Sequence, residues 1–303
     1  MPRPSAAPLP HAPHAGKPGR GYLPHLALAA GILCIGSTAI FVRWAGLPGP
    51  VTAFYRFLIA AAAVTPWWLA RHREPVSRRD AALIVLGGAC FAVDVALWNA
   101  SLLRIPAATS TLLTNSAPLW IGLASLLFFG ERLHGRFWGG LALALAGMTC
   151  LVGPAAWLKL SFDPGVFMAV GSSLLYATYL LVTRRVRARV GTGAFMGISV
   201  LTATAAMLAV SLGMGLPLAG FPLRTWLCLG VIGVVGHLAG WLAINYALGH
   251  LPAGPVSVSL LGQAVVTALL AIPLLGEGLS LYQIAGGSLV LAGIYLANPR
   301  RRS

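Results

Sequence analysis

From Leu23 almost to the C-terminus, apolar runs of about 20 residues recur with short breaks between them. Each run matches the roughly 30 Å hydrocarbon thickness of a bilayer at about 1.5 Å of rise per helical residue. Ten such runs are present, approximately over residues 24–43, 50–70, 81–101, 107–129, 137–153, 164–183, 192–213, 225–247, 253–275 and 281–298. Charge or Pro and Gly mark the breaks, as in Arg71-His72-Arg73-Glu74-Pro75, Gly130-Glu131-Arg132, Arg184-Arg185-Val186-Arg187 and Gly276-Glu277-Gly278. Strands that span a bilayer need only about 9–11 residues of alternating polarity, so runs this long are helices. Composition agrees: 58% of residues are hydrophobic and 9% charged, against about 25% charged in soluble domains. The chain therefore reads as an all-α membrane protein with ten transmembrane helices, and a soluble cytosolic enzyme is excluded.

The net charge of +15 is a matter of loops. With the N-terminus in the cytoplasm, 16 of the 21 Lys and Arg fall inside, in the tails and at Arg71, Arg73, Arg78, Arg79, Arg132, Arg136, Arg184, Arg185, Arg187 and Arg189. Arg43, Arg104, Lys159 and Arg224 fall outside, and Arg56 lies within a span. By the positive-inside rule both termini are cytoplasmic, and this distribution accounts for the charge without nucleic acid as a partner. Residues 1–21, with six prolines and no apolar run, predict a disordered tail; His11 and His14 lack a third ligand for a metal, and no cleaved signal peptide is expected. Cys34, Cys90, Cys150 and Cys228 sit in separate spans without a CxxC pair and read as packing.

Sliding the chain on itself by 146 residues aligns 99–152 with 245–298 without a gap, with 13 of 54 positions identical. The identities include Asn99/Asn245, Pro106/Pro252, Gly130-Glu131/Gly276-Glu277, Gly140/Gly286 and the Leu-Ala-Gly at 145–147 and 291–293, which leucine richness alone does not produce. We read a duplication. The segments are a tail 1–21, a first repeat 22–153 with helices 1–5, an external linker 154–163, a second repeat 164–298 with helices 6–10, and a basic cytoplasmic tail 299–303. Five is odd, so the second copy enters the membrane from the opposite side. Two inverted five-helix repeats give a transporter two near-equivalent conformations with the ligand near the midplane, which is the basis of alternating access.

The stretches from Asn99-Ala-Ser-Leu-Leu-Arg-Ile-Pro-Ala-Ala to Phe129-Gly-Glu-Arg-Leu and Leu145-Ala-Gly, and from Asn245-Tyr-Ala-Leu to Leu275-Gly-Glu-Gly-Leu-Ser and Leu291-Ala-Gly, resemble the EamA repeat of the drug/metabolite transporter superfamily. Gly36-Ser37 and Tyr55-Arg56-Phe57 add to the resemblance, which covers everything but the tail. It implies a ten-helix exporter of amino acids or related small metabolites in the bacterial inner membrane, in a branch that includes aromatic amino-acid exporters. The superfamily also includes nucleotide-sugar carriers and importers, so substrate and direction stay open.

Ionisable groups inside a span are candidates for function, because hydrocarbon penalises them by several kcal/mol unless they are paired or hydrated. Asp94 lies near the centre of the third span, His237 near that of the eighth, and Arg56 in the second. Arg56 reads as architecture, its long stem snorkelling or bonding backbone carbonyls. Polar residues shared by both copies suit capping or packing; unmatched ones suit an asymmetric ligand. Asp94 aligns with Gly240, His237 with Phe91, Asn115 with Leu261 and Gln263 with Ala117. Thr111, Asn115, Pro118, Gly122 and Ser125 share one helical stripe, and Ser259, Gln263 and Thr267 another. Trp98 shares a face with Asp94 and Trp241 with His237, while Tyr176 and Tyr179 add hydroxyls near the centre of the sixth span. The expected substrate-binding set is thus Asp94, Trp98, Asn115, Tyr176, Tyr179, His237, Trp241 and Gln263.

No Walker, HExxH or GxSxG motif is present, and neither a cofactor nor catalysis is expected. The reading is a secondary transporter for a small-molecule substrate, embedded in lipid; a monomer is compatible with it, and the oligomeric state stays open. Its rivals are a carrier of cationic drugs or nucleotide sugars and, from another class, a membrane-embedded enzyme or sensor. Asp94 either exchanges protons with the cavity, coupling export to the proton gradient, or holds its charge against His237 or a substrate ammonium, or bonds neighbouring helices while transport follows the substrate gradient.

Overall fold

The computed structural model describes residues 22–71, 75–102, 104–105, 110, 113–128, 134–152, 163–275 and 281–297. The features expected on the tails 1–21 and 299–303, on 154–162, on the loops at 129–133 and 276–280, and on Thr111 lie outside these residues, as does the side chain of Ser125.

Within them the chain forms ten helices: α1 Leu23–Ala45, α2 Gly49–Arg71, α3 Arg78–Leu102, α4 Ala117–Phe128, α5 Gly135–Val152, α6 Pro164–Arg187, α7 Thr192–Gly213, α8 Leu223–His250, α9 in two pieces, Ala253–Leu260 and Gly262–Leu275, and α10 Leu281–Ala297. Inside hydrocarbon every backbone group must bond within its own segment, which is why the apolar runs become helices. The boundaries follow from local chemistry. Pro164 opens α6 behind Asp163, whose Oδ1 accepts from the Gly165 N–H at 2.7 Å. Arg184, Arg185 and Arg187 close α6 where the helix dipole favours cations. Gly46, at φ 63°, ends α1 in the left-handed conformation that glycine adopts without a steric penalty. At the start of α3, Ser77 and Asp80 form a capping box: Ser77 Oγ accepts from the Asp80 N–H at 3.0 Å and donates to Asp80 Oδ2 at 2.9 Å.

Adding five to each helix number reproduces the packing pattern. α2 packs on α7, α4 on α9 and α5 on α10, each pair mapping onto itself; α1–α8 maps onto α6–α3, α1–α9 onto α6–α4, and α2–α8 onto α7–α3. The same two-fold relation holds residue by residue. A Cβ on Gly140 would lie 2.6 Å from Gly293 O, and one on Gly147 would lie 2.7 Å from Gly286 O. These are one contact seen twice, since 147 and 286 become 293 and 140 under the 146-residue shift. The halves thus meet along α5–α10 by close backbone approach, the way helices associate where lipid is as apolar as their side chains.

Two elements depart from expectation. α8 is not α-helical throughout: Ile232–Ala239 is an eight-residue π-helix. Ten residues into α3 and α8, equivalent glycines lie 145 residues apart: Gly88 faces α7, where a Cβ would come 2.7 Å from Ser199 O, and Gly233 faces α2, where one would come 2.6 Å from Ile59 Cβ. Beyond the π segment, Asn99 and Asn245 are 146 apart. α8 therefore carries one residue more than α3 between these points, and the wider π turns house it. α9 is broken at Leu261, and the chain entering α4 turns at Asn115 and Ser116. Residue 261 is 115 plus 146, so the breaks are two-fold equivalents.

Candidate functional site

The largest buried cluster lies where α2, α3, α6, α7 and α8 converge, with α4 and α9 contributing, and unlike groups sit inside its apolar wall. Phe91 of α3 stacks on Tyr179 of α6 with centroids 4.4 Å apart. Trp241 of α8 meets both rings edge-on, at 4.6 Å from Phe91 and 5.3 Å from Tyr179, with Tyr176 at 6.1 Å. His237, held by the π segment, packs edge-on against Phe57 of α2 at 4.9 Å and lies 6.3 Å from Trp241. Such contacts among aromatic rings contribute about 0.5–1.5 kcal/mol each beyond their burial. Asn245, one helical turn beyond Trp241, donates from Nδ2 to Tyr179 OH at 3.3 Å.

The polar groups are drawn from both halves. Arg56 of α2 is 7% exposed and donates from Nε to His237 Nδ1 at 3.3 Å. Asp94 of α3 is 4% exposed and accepts from Ser172 Oγ of α6 at 2.5 Å; Ser172 in turn lies 3.4 Å from Thr114 Oγ1. Arg56 and Asp94 form no ion pair within 4.0 Å. The indole N–H of Trp241, on a residue only 3% exposed, has no acceptor among the described residues. Asn115 and Gln263, at the two equivalent helix breaks, bond each other across the halves, Gln263 Nε2 donating to Asn115 Oδ1 at 2.9 Å.

Of the eight residues expected from sequence, Tyr176, Tyr179, His237 and Trp241 form one aromatic wall, Asp94 joins them through α3 and α6, and Asn115 and Gln263 pair beside Thr114. Trp98 is half-buried and has no ring partner among the described residues, so the structure leaves it outside the wall. Arg56 is the residue that sequence reasoning misplaced. It is buried rather than snorkelling, donates from its Nε to His237 between α2 and α8, and bonds no backbone carbonyl among the described residues. Ser172, Phe57 and Phe91 were also missed; Ser172 follows Gly171 in a small-residue stretch that reads as packing. Asn99 behaves as expected of a shared residue, donating to Gly49 O at 3.2 Å, whereas Asn245 also touches the wall. A separate groove of about 470 Å³ between the end of α1 and the start of α8, lined by Phe41, Trp44, Leu223, Arg224, Leu227, Cys228 and Val231, is almost wholly apolar and suits lipid.

Two further contacts join the halves near the helix ends. Arg189, in the α6–α7 turn, donates from Nη2 to Asp80 Oδ1 at 2.5 Å, and the Asp80 carboxylate holds the Arg189 guanidinium above its usual pKa range. At the equivalent place of the other half, Thr225, like Asp80 the third residue of its helix, donates from Oγ1 to Ala45 O at 3.3 Å.

Comparison with known proteins places this geometry. The model of the EamA-like transporter family matches residues 23–153 and again 163–298. An uncharacterized transporter of Archaeoglobus fulgidus is 26% identical over 271 residues, 89% of this chain and 94% of the relative. A probable terminal-alkyne amino-acid exporter of Streptantibioticus cattleyicolor is 26% identical over 73% of this chain and 74% of its own. The pseudopaline exporter of Pseudomonas aeruginosa is 26% identical over 71% and 74%. A crystal structure with a TM-score of 0.77 and 22% identity covers 90% of this chain and 96% of its own length, and shares the fold.

Proposed function

Because the chain belongs to the EamA-like transporter family, we propose that this multi-pass membrane transporter exports amino acids, or small metabolites built like them, across the bacterial inner membrane by alternating access. One observation carries the reading: a buried set of unlike groups, Arg56, Asp94, His237 and an unpaired Trp241 N–H, lies inside an aromatic wall between two inverted halves. A site of this composition matches a ligand with both an apolar body and a charged head. The relatives named as exporters of an amino acid and of pseudopaline support the direction and the ligand type. The substrate-contacting residues in this reading are Tyr176, Tyr179, His237, Trp241 and Asp94, with Asn115 and Gln263 at the helix breaks. Both termini face the cytoplasm.

The test is counterflow in proteoliposomes loaded with one unlabelled amino acid at a time, reading entry of the same labelled amino acid. Exchange of at least one apolar or aromatic amino acid above protein-free vesicles is expected. A panel in which none exchanges, while cationic drugs or nucleotide sugars do, would overturn the assignment.

A further inference from the structure

A guanidinium carries five N–H donors and needs acceptors for them when it is buried. Arg56 uses one, Nε, on His237. Its two Nη groups have no acceptor among the described residues, and no carboxylate lies within 4.0 Å. On the other side, Asp94 Oδ1 is occupied by Ser172, and Oδ2 has no partner among the described residues. A buried guanidinium and a buried carboxyl group that stay apart are expensive to maintain, since direct pairing would relieve both. The arrangement is economical if something else sits between them.

We propose that Arg56 is the receptor for the carboxylate of the substrate and Asp94 Oδ2 for its ammonium, so that the transported molecule must carry both groups. This rests on the transporter reading above and narrows it to zwitterions. Three details fit. Arginine presents two parallel N–H groups that match a carboxylate bidentately. His237 Nδ1, by accepting from Nε, fixes the guanidinium plane and leaves the Nη edge free. The Trp241 indole N–H, buried without an acceptor, is a further donor from the aromatic wall that the apolar part of the same ligand would cover.

The test uses the counterflow assay with the full chain in vesicles. Labelled phenylalanine, leucine and methionine are each challenged with the same amino acid unlabelled, with its amide, which lacks the carboxylate, and with its decarboxylated amine. The amide and the amine should compete at least about tenfold less well than the acid, the size expected for a lost charged hydrogen bond. Arg56→Gln should narrow that preference to within about twofold, and Arg56→Lys should restore part of it. Amides and amines that compete as well as the acid in the wild type, or an Arg56→Gln variant that keeps the full preference, would overturn the proposal while leaving the transporter reading intact. Absence of exchange for every amino acid would overturn both. Should Arg56→Gln fail to insert, the competitor series on the wild type decides.

Discussion

Trp241 and Trp98 put the wall to a direct comparison at the scale of single residues. Both are tryptophans within one turn of a candidate ionisable group, but only Trp241 contacts Phe91, Tyr176 and Tyr179. Trp241→Ala should slow counterflow by at least roughly two- to tenfold, the ~0.5–1.5 kcal/mol of even one of the ring contacts it gives up, while Trp98→Ala changes it less than about twofold. Equal effects would sink the distinction. Asp94 belongs to the same scale. If it carries protons, an imposed pH gradient drives accumulation in the wild type and not in Asp94→Asn; rates that ignore the gradient in both leave Asp94 as a ligand for the ammonium alone. Sequence made Asp94, His237 and Trp241 visible, because charge and indole are rare in hydrocarbon and sit at identifiable depth. It misread Arg56, because a long side chain near a span end snorkels as easily as it buries, and only the position of His237 on a neighbouring helix decides between them.

Among elements, the α5–α10 crossing and the Asp80–Arg189 tie make separate predictions. Gly293→Leu forces a side chain into the backbone of α5 and should destabilise the protein by about 1–3 kcal/mol, read as a lowered unfolding temperature in detergent; an unchanged melt would mean that the halves do not rely on that approach. Asp80–Arg189 is half-exposed, so breaking it with Arg189→Gln should cost no more than ~1 kcal/mol and leave the melt nearly unmoved. It should nevertheless loosen that end of the site. A cysteine at Thr183, on a chain whose native cysteines are replaced by alanine, should react with a water-soluble maleimide up to about fivefold faster, and the charge swap Asp80→Arg with Arg189→Asp should reverse the gain. Labelling that ignores both changes would show that the Asp80–Arg189 tie does not hold that end shut. The capping box was present in the sequence as Ser77-Arg78-Arg79-Asp80, but its partner Arg189 is 109 residues away and nothing in the local pattern names it.

For the whole molecule, the ten spans, the duplication and its inversion were legible, since hydrophobic length and an odd helix count per repeat leave little freedom. Topology itself is testable: a reporter after Arg302 and one in the 71–80 loop should both read cytoplasm, and one in the 154–163 loop the far side; a C-terminus on the far side would break the assignment. The π segment was not legible, because one extra residue leaves the apolar run intact and shows only when two glycines are seen to be 145 apart and two asparagines 146. Measured against its counterpart α3, α8 holds one residue more, and the extra residue falls on the stretch that presents His237. Excising Val234 should therefore restore the spacing of α3: α8 takes up ordinary helical hydrogen bonding, Gly233 and Asn245 keep their seats, and the chain unfolds no more easily than before, yet His237 leaves Arg56 and transport falls. Such a variant would be as sturdy as the original with a symmetric centre, and what it could no longer carry would reveal what the asymmetry serves.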